Sequence, residues 1–362
     1  MSGVSTAFSR MLGLRSPIIQ APMAGGPSSA ELVAAVSAAG ALGSFGFAYT
    51  QPDEMKKAVA TVRAKTARPL GINLFLSPQP GAIADEAQRA ALAALEPFYA
   101  EMGLPVPQSA KPPYAPDLEA QLSAVAELRP AVFTVHLADF PAARVNEFRN
   151  LGMKLGGSAT TVGEAKHLAA LGFDFVIAQG GEAGGHRGTY ARDPYDALTG
   201  TLALTRMIVR AIRVPVVAAG GIMDGEGIAA VLALGAQAAQ LGTAFIPCPE
   251  SGAADIHKKA VLGCREDDTR ITEKFSGKPA RGIANRFMRE AVRFPQIPFP
   301  AQNVLTGKLR QASAKAGKAD FYTLWAGQAA PLARALPAEE LVARLEQETI
   351  EALRRAAALV DR

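Results

Sequence analysis

The sequence predicts an α/β protein built as a (β/α)8 TIM-type barrel, on two observations. Short apolar runs alternate with alanine-rich helical stretches eight times along the chain, as expected for parallel strands joined by crossover helices. Polar or glycine-rich residues follow nearly every run. An open doubly wound sheet uses the same units, but only a closed barrel brings all the strand ends to one mouth, where scattered residues can share a site.

The series opens at residues 17–20, Pro-Ile-Ile-Gln, with a helix at 28–39 behind it. The second run, 42–47, precedes a helical stretch at 53–65, and the third is 70–75. Residues 131–135, 154–158, 173–178, 214–219 and 238–242 supply strands four to eight, each an apolar run of strand length bounded by polar or breaking residues. A helix at 225–234 follows the seventh strand, and an amphipathic helix at 338–359 closes the outer ring.

Two stretches break the pattern. The proline-rich residues 77–116, with a helix at 82–95, leave after the third strand, and 250–334 form a larger, mostly helical insertion after the eighth. Both follow strands, so both are expected above or beside the mouth. The barrel is then 1–249 with 335–362, and 250–334 is a substrate-side lid.

Composition narrows the function. Of 362 residues, 49% are hydrophobic and 20% charged, which excludes disorder, and no apolar run approaches the ~20 residues of a membrane span. The net charge of +5 is dispersed, which gives nucleic-acid binding little support. The two cysteines, Cys248 and Cys264, are too few for a disulfide framework and are read as buried thiols. The N-terminal residues carry arginines but no apolar h-region, so a cytoplasmic protein is expected. No carboxylate and histidine cluster has metal-ligand spacing.

The most informative segment is Ala178-Gln179-Gly180-Gly181-Glu182-Ala183-Gly184-Gly185-His186-Arg187-Gly188. It reads as a flexible loop after the sixth strand whose glycines let the backbone approach a flat or phosphorylated ligand. His186 is the candidate catalytic group, because imidazole moves protons near neutral pH. After the first strand, Ala21, Pro22 and Met23 form a rigid turn suited to a planar ring. Asn73 puts an amide in an apolar strand, where it either caps the interior or meets a ligand. His136, at the end of the fourth strand, is a substrate contact or a satisfied core histidine.

Ala219-Gly220-Gly221 and Gln240-Leu241-Gly242-Thr243 end the seventh and eighth strands. Paired glycine turns there make the usual phosphate cradle of this fold. Gln179, Asn73 and Gln240 add amides for a heterocycle's edge. Because no Gly-x-Gly-x-x-Gly follows the first strand, a mononucleotide flavin is the inference. Tyr322 and Trp325 wall the pocket or pack in the core. His167 and His257 are read as non-catalytic; Lys308 and Arg310 are cations that either attract a carboxylate-bearing substrate or, the favoured reading, lie on a solvated face.

Together these segments resemble the class I nitronate monooxygenases, from Gln20 to about Gln328; Leu324-Trp325-Ala326-Gly327-Gln328 and Arg187 carry part of the likeness. The glycine-histidine loop is also similar to flavin NADH:quinone and enoyl reductases. The resemblance implies noncovalent FMN on Ala21, Pro22, Met23, Asn73, Gln179, Gly180, Gly181, Gly184, Gly220, Gly221, Gln240, Gly242 and Thr243, and a substrate pocket of His136, Tyr322, Trp325 and Gln328. It implies oxidation of alkyl nitronates, propionate 3-nitronate in particular, with O2 to a carbonyl compound and nitrite, by one-electron transfer to flavin, in a monomer or homodimer. A reductase of the same barrel group and a non-enzymatic flavin-binding module are the competing readings.

Overall fold

The computed structural model describes residues 3–76, 80–137 and 140–360; the start of the proline-rich excursion, 77–79, lies outside them. The strands are β1 Ile18–Gln20, β2 Gly43–Gly46, β3 Leu70–Phe75, β4 Val132–His136, β5 Lys154–Ala159, β6 Phe175–Gln179, β7 Gly185–His186, β8 Val216–Ala219, β9 Ala238–Leu241, β10 Thr269–Thr272 and β11 Ala280–Ile283. Eight of them form one parallel sheet in the order β1-β9-β8-β6-β5-β4-β3-β2. The barrel closes between its ends: Gln20 N donates to Leu42 O at 2.9 Å and Leu42 N to Ile18 O at 3.0 Å. β8 and β9 are therefore the barrel's seventh and eighth strands, and each of the eight expected runs contributes one.

The helices α1 Ala7–Leu12, α2 Ala30–Ala38, α3 Pro52–Lys65, α4 Asp85–Glu101, α5 Leu118–Leu128, α6 Ala142–Asn150, α7 Val162–Ala170, α8 Thr201–Ala211, α9 Gly225–Ala233, α10 Asp255–Leu262, α11 Arg286–Glu290, α12 Ala301–Lys315 and α13 Ala338–Ala357 complete the chain. Side-chain caps fix where several begin: Ser29 for α2, Asp117 for α5, Thr161 for α7 and Asp224 for α9 each accept a backbone N–H of the first turn. The sequence does not predict α1. Its Phe8 meets Phe175 edge-on at 5.1 Å and joins Ile19, Leu42, Val132, Ile177 and Val217 in the barrel interior. Nor does it predict α5, which packs beside α3. The helix expected at 82–95 runs on through Pro97 to Glu101.

The excursion after β3 and the insertion after β9 share one apolar cluster. Leu92, Leu95, Phe98 and Tyr99 from α4 pack with Phe275, Phe287, Leu305, Leu309 and Phe321. At the far end, α13 lies on α9, where Gly225 N donates to Glu348 Oε2 at 3.1 Å and Arg334 Nη2 to the same oxygen at 2.9 Å. A Cβ at Gly225 would collide with Glu348 Cβ and Thr349 N. Gly225→Ala is expected to lower stability by about 1–3 kcal/mol as α13 is forced outward, read as a lower midpoint in denaturant unfolding. An unchanged midpoint would mean the α9–α13 contact is loose.

Candidate active site

The C-terminal ends of the barrel strands and the insertion frame a cavity of about 440 Å³, the size of a small-molecule or cofactor site. Each wall follows from local structure. After β1, Ala21, Pro22 and Met23 line the cavity, held because Met23 N donates to Ser28 Oγ at 2.9 Å. The buried Gln20 beneath accepts from Ser44 N at 2.9 Å, tying the turn to the barrel closure. From β3, Asn73 reaches the wall; its Nδ2 donates to Thr134 Oγ1 at 2.9 Å and Thr134 O at 3.1 Å, so Oδ1 is the atom it can offer a ligand.

Gln240, Gly242 and Thr243 follow β9, and Gly220 and Gly221 follow β8 with φ of 114° and 69°. Positive φ at two successive residues needs glycine. Thr243 Oγ1 accepts from Gly327 N at 2.9 Å, so its own O–H remains free to donate. A Cβ at Gly242 would make only ordinary contact with Ala21 Cβ and Met23 Sδ, at 3.5 and 3.8 Å.

The segment after β6 is not a flexible loop. Gly185 and His186 form β7, paired antiparallel with β11 of the insertion in a second, three-stranded sheet β10-β11-β7. Gln179 lines the cavity, but its Oε1 accepts from Gly188 N at 2.8 Å and its Nε2 donates to His186 O at 3.0 Å. It serves mainly to fold the segment, with one N–H left to offer. Gly184 lines the cavity, whereas Gly180 and Gly181 do not. A Cβ on Gly180 would collide with Thr201 and one on Gly181 would sit 2.5 Å from Leu198 O, so these two are glycines because β6 abuts the start of α8. Gln328 is also outside the cavity and exposed; its backbone N–H donates to Glu182 O at 3.0 Å, turning the side chain outward.

His186 sits in an aromatic cage, with ring centroids 5.7 Å from Phe75, 5.6 Å from Phe299 and 5.7 Å from Trp325. Its Nε2 lies 2.9 Å from Ser276 Oγ. That hydroxyl spends its one hydrogen on Lys278 O at 3.1 Å, so it accepts from His186, which fixes the Nε2–H tautomer and leaves a lone pair on Nδ1. Burial pushes the imidazole down to about 3, and the nearby His136, Lys278 and Arg310 act in the same direction. It is a neutral base at neutral pH.

His136 lines the same wall, tilted on Phe75 at 5.3 Å, with Nε2 3.3 Å from His186 O. Burial lowers it to about 4, against the opposing effect of that backbone hydrogen bond. Its polar partner is therefore the backbone of the segment that carries His186. Tyr322 and Trp325 are both on the wall.

Further residues line the cavity that the sequence reading set aside or passed over. His257, on α10, is buried, donates from Nε2 to Trp325 O at 2.9 Å and is lowered to about 4, chiefly by burial. The buried Val261 one turn on was the available signal; the lysines at 258 and 259 obscured it. Tyr49 follows β2, a strand-end position like the others. Ser158 is on β5. Arg310 is a correction: Lys308 is exposed, but Arg310 turns into the cavity with Asn303, Gly307 and Gln311, the i, i+4 and i+8 positions of the same helix face. The two cysteines are buried, their thiols pushed up by burial to about 12 for Cys248 and about 11 for Cys264, and neither lines the cavity. Among the described residues no group of three or more His, Cys, Asp or Glu could hold a metal ion, and no helix is long and apolar enough to cross a membrane.

A family model described as "Nitronate monooxygenase" matches residues 8–348. The chain is 43% identical over 353 residues to a nitronate monooxygenase of Paraburkholderia phytofirmans, covering 95% of this chain and 96% of that one. It is 42% identical over 346 residues to a nitronate monooxygenase of Pseudomonas aeruginosa, covering 94% and 98%. Among solved structures, the nitroalkane oxidase of Streptomyces ansochromogenes superposes with a TM-score of 0.90 at 40% identity, covering 97% of this chain and all of that one.

Three histidines, the buried His257 and the half-buried His136 and His186, give the fold a pH dependence. Each has a folded pKa depressed below its ordinary value of about 6.5, so between about 4 and 6.5 the unfolded chain binds the extra protons. Stability from these groups is full above pH 6.5 and falls as pH drops toward 4, by at most about 1.4 kcal/mol per pH unit each. Unfolding free energies measured from pH 4 to 8 should show this fall. His257→Gln, which keeps a donor for Trp325 O, should remove about a third of the histidine contribution; an unchanged slope would place His257 in water.

Proposed function

The chain belongs to the nitronate monooxygenase family, oxidoreductases that are flavin-dependent in general, and on that premise we propose that it oxidises alkyl nitronates with O2, using FMN, to a carbonyl compound and nitrite. The observation that carries this reading is a neutral His186 with its Nδ1 lone pair bare, caged beside a cavity walled by glycine turns. The residues present fit the cofactor. Gly220, Gly221, Gly242 and the free O–H of Thr243 would hold a phosphate. Ala21, Pro22, Met23 and Gly184 would flank the ring system, with Asn73 Oδ1, Gln240 and the remaining N–H of Gln179 for its polar edge. When bound, FMN supplies the acceptor for electrons drawn from the nitronate and passed on to O2.

The protein's own groups divide the substrates. A nitronate has already lost its α-proton and needs no base. A neutral nitroalkane needs one, and Nδ1 of His186 is the acceptor, oriented by Ser276 and kept unprotonated by burial. Phe75, Phe299 and Trp325 exclude water around it. His136 stays neutral and steadies the backbone of His186 rather than exchanging protons with substrate.

The test is oxygen uptake and nitrite release by the purified yellow protein given propionate 3-nitronate. Rapid anaerobic bleaching of the flavin by NADH would favour a reductase instead. His186→Asn should cut nitroalkane oxidation by about 10²-fold or more while much of the nitronate activity survives; equal loss of both would sink the division. Ser276→Ala should lower kcat for nitroalkane without a comparable effect on nitronate, and Ser276→Thr should restore it. If neither substrate responds, Ser276 has no part in orienting the base.

A further inference from the structure

The cavity holds one cation that the chemistry above does not use. Arg310, on α12, has its guanidinium inside the cavity wall, where Nη2 donates to Asn303 O and Asn303 Oδ1, both at 2.8 Å. Its Nε is buried and has no hydrogen-bond partner among the described residues. Arg310 makes no ion pair there either, and the groups that act on its charge are three tyrosines, Tyr49, Tyr322 and Tyr99. Tyr49 Oη is likewise buried and unpartnered, and burial pushes its hydroxyl up to about 12, so it stays a protonated donor. Two donors, one of them charged, thus share a cavity wall with no acceptor between them. A buried cation without an anion is costly, and burial does pull the guanidinium below its ordinary range, although arginine keeps its charge.

The place of this pair relative to the base is fixed by ring contacts. Tyr49 meets Phe75 edge-on at 6.1 Å, and Phe75 meets His186 at 5.7 Å. Arg310 is also close enough to His186 to disfavour its protonation. Tyr49, Arg310 and His186 all line the same cavity.

We propose that Arg310 and Tyr49 form an anion subsite that takes the distal carboxylate of a short substrate whose nitronate end lies at His186, and that Arg310 sets the preference for such acids over uncharged alkyl nitronates. A carboxylate oxygen accepts from the Nε–H of Arg310 and the Oη–H of Tyr49, and the pair it forms with the guanidinium is charge-assisted. The proposal rests on the nitronate reading for the other end of the substrate. The subsite itself does not, because any short carboxylate, propionate included, should occupy it.

The experiment compares propionate 3-nitronate with the uncharged propyl-1-nitronate on the cofactor-loaded wild type, Arg310→Gln, Arg310→Lys and Tyr49→Phe, alongside propionate as inhibitor and as ligand in calorimetry. Arg310→Gln should lower kcat/KM for the carboxylated substrate by about 30-fold or more, through KM, and change the uncharged one by less than about 3-fold. Arg310→Lys should recover part of the loss, Tyr49→Phe should lose about 3- to 10-fold, and propionate should compete in the wild type and bind weakly to Arg310→Gln. Equal loss on both nitronates would overturn the proposal, because Arg310 would then hold the nitronate end or only the fold. So would propionate binding that survives Arg310→Gln. Should the wild type oxidise neither nitronate, the nitronate reading fails, and the calorimetry alone still decides the subsite.

Discussion

The site depends on how the chain buries Arg187. This is the largest fully buried side chain among the described residues, and its guanidinium donates to Gly180 O at 2.6 Å, Gln179 O at 3.0 Å and Ala197 O at 3.2 Å. A charge moved out of water is tolerated only when its donors are met. The two terminal nitrogens meet theirs on backbone carbonyls while Nε stays unpartnered, and this folds the backbone after β6 around the guanidinium and leaves β7 beside β11. Burial draws the Arg187 pKa down to about 10, with Arg281 adding to the effect and Glu182 and Glu164 opposing it, so the group stays charged. The segment that carries His186 is thus wound on a buried cation, while Ser276 fixes the tautomer of its imidazole.

The same geometry explains why a run with five glycines is rigid. A Cβ at Gly184 would lie 2.5 Å from Ala326 C, one at Gly188 2.7 Å from His136 Cε1, and Gly180 and Gly181 have no more room. Only Gly185, at φ 75° with open space around it, is glycine for its backbone angle. Glycine enrichment therefore marks close packing against α8, Trp325's strand of chain and His136, where composition alone suggested mobility. The histidine is consequently presented from a strand edge clamped between barrel and insertion.

The barrel was legible because parallel strands covered on both faces are near-continuous apolar runs, and Val216-Val217-Ala218-Ala219 or Phe175-Val176-Ile177-Ala178 carry that signal within a few residues. The strand-end residues followed from topology, which places Ala21, Asn73, Gln179, Gly220 and Gln240 on one cavity without any knowledge of their contacts. What escaped is set by contacts distant in sequence. β7 has two residues and exists only because β11, nearly a hundred positions later, pairs with it. Gln328 and Arg310 show the limit for side chains: the first is polar and near Trp325 yet points outward, and the second is charged on a helix yet points inward. No local pattern distinguishes them, because the deciding partner is Glu182 O for one and the apolar body around Tyr99 for the other.

That apolar body links the two irregular stretches to the site. Tyr99 Oη, on the excursion, donates to Leu305 O of α12, and Phe98 packs on Phe287, Phe294 and Phe321 of the insertion. The position of α12, and so of Asn303 and of Arg310 seven residues further on, is set by the segment that leaves the barrel after β3. Under the proposed function the glycine turns of β8 and β9 hold the cofactor on the rigid barrel, while the substrate-facing cation rides on packing between two additions to it. The electrostatics follow this division. Burial keeps His136, His186 and His257 neutral, and among the described residues that line the cavity the guanidinium of Arg310, carried by the insertion, is the charged group.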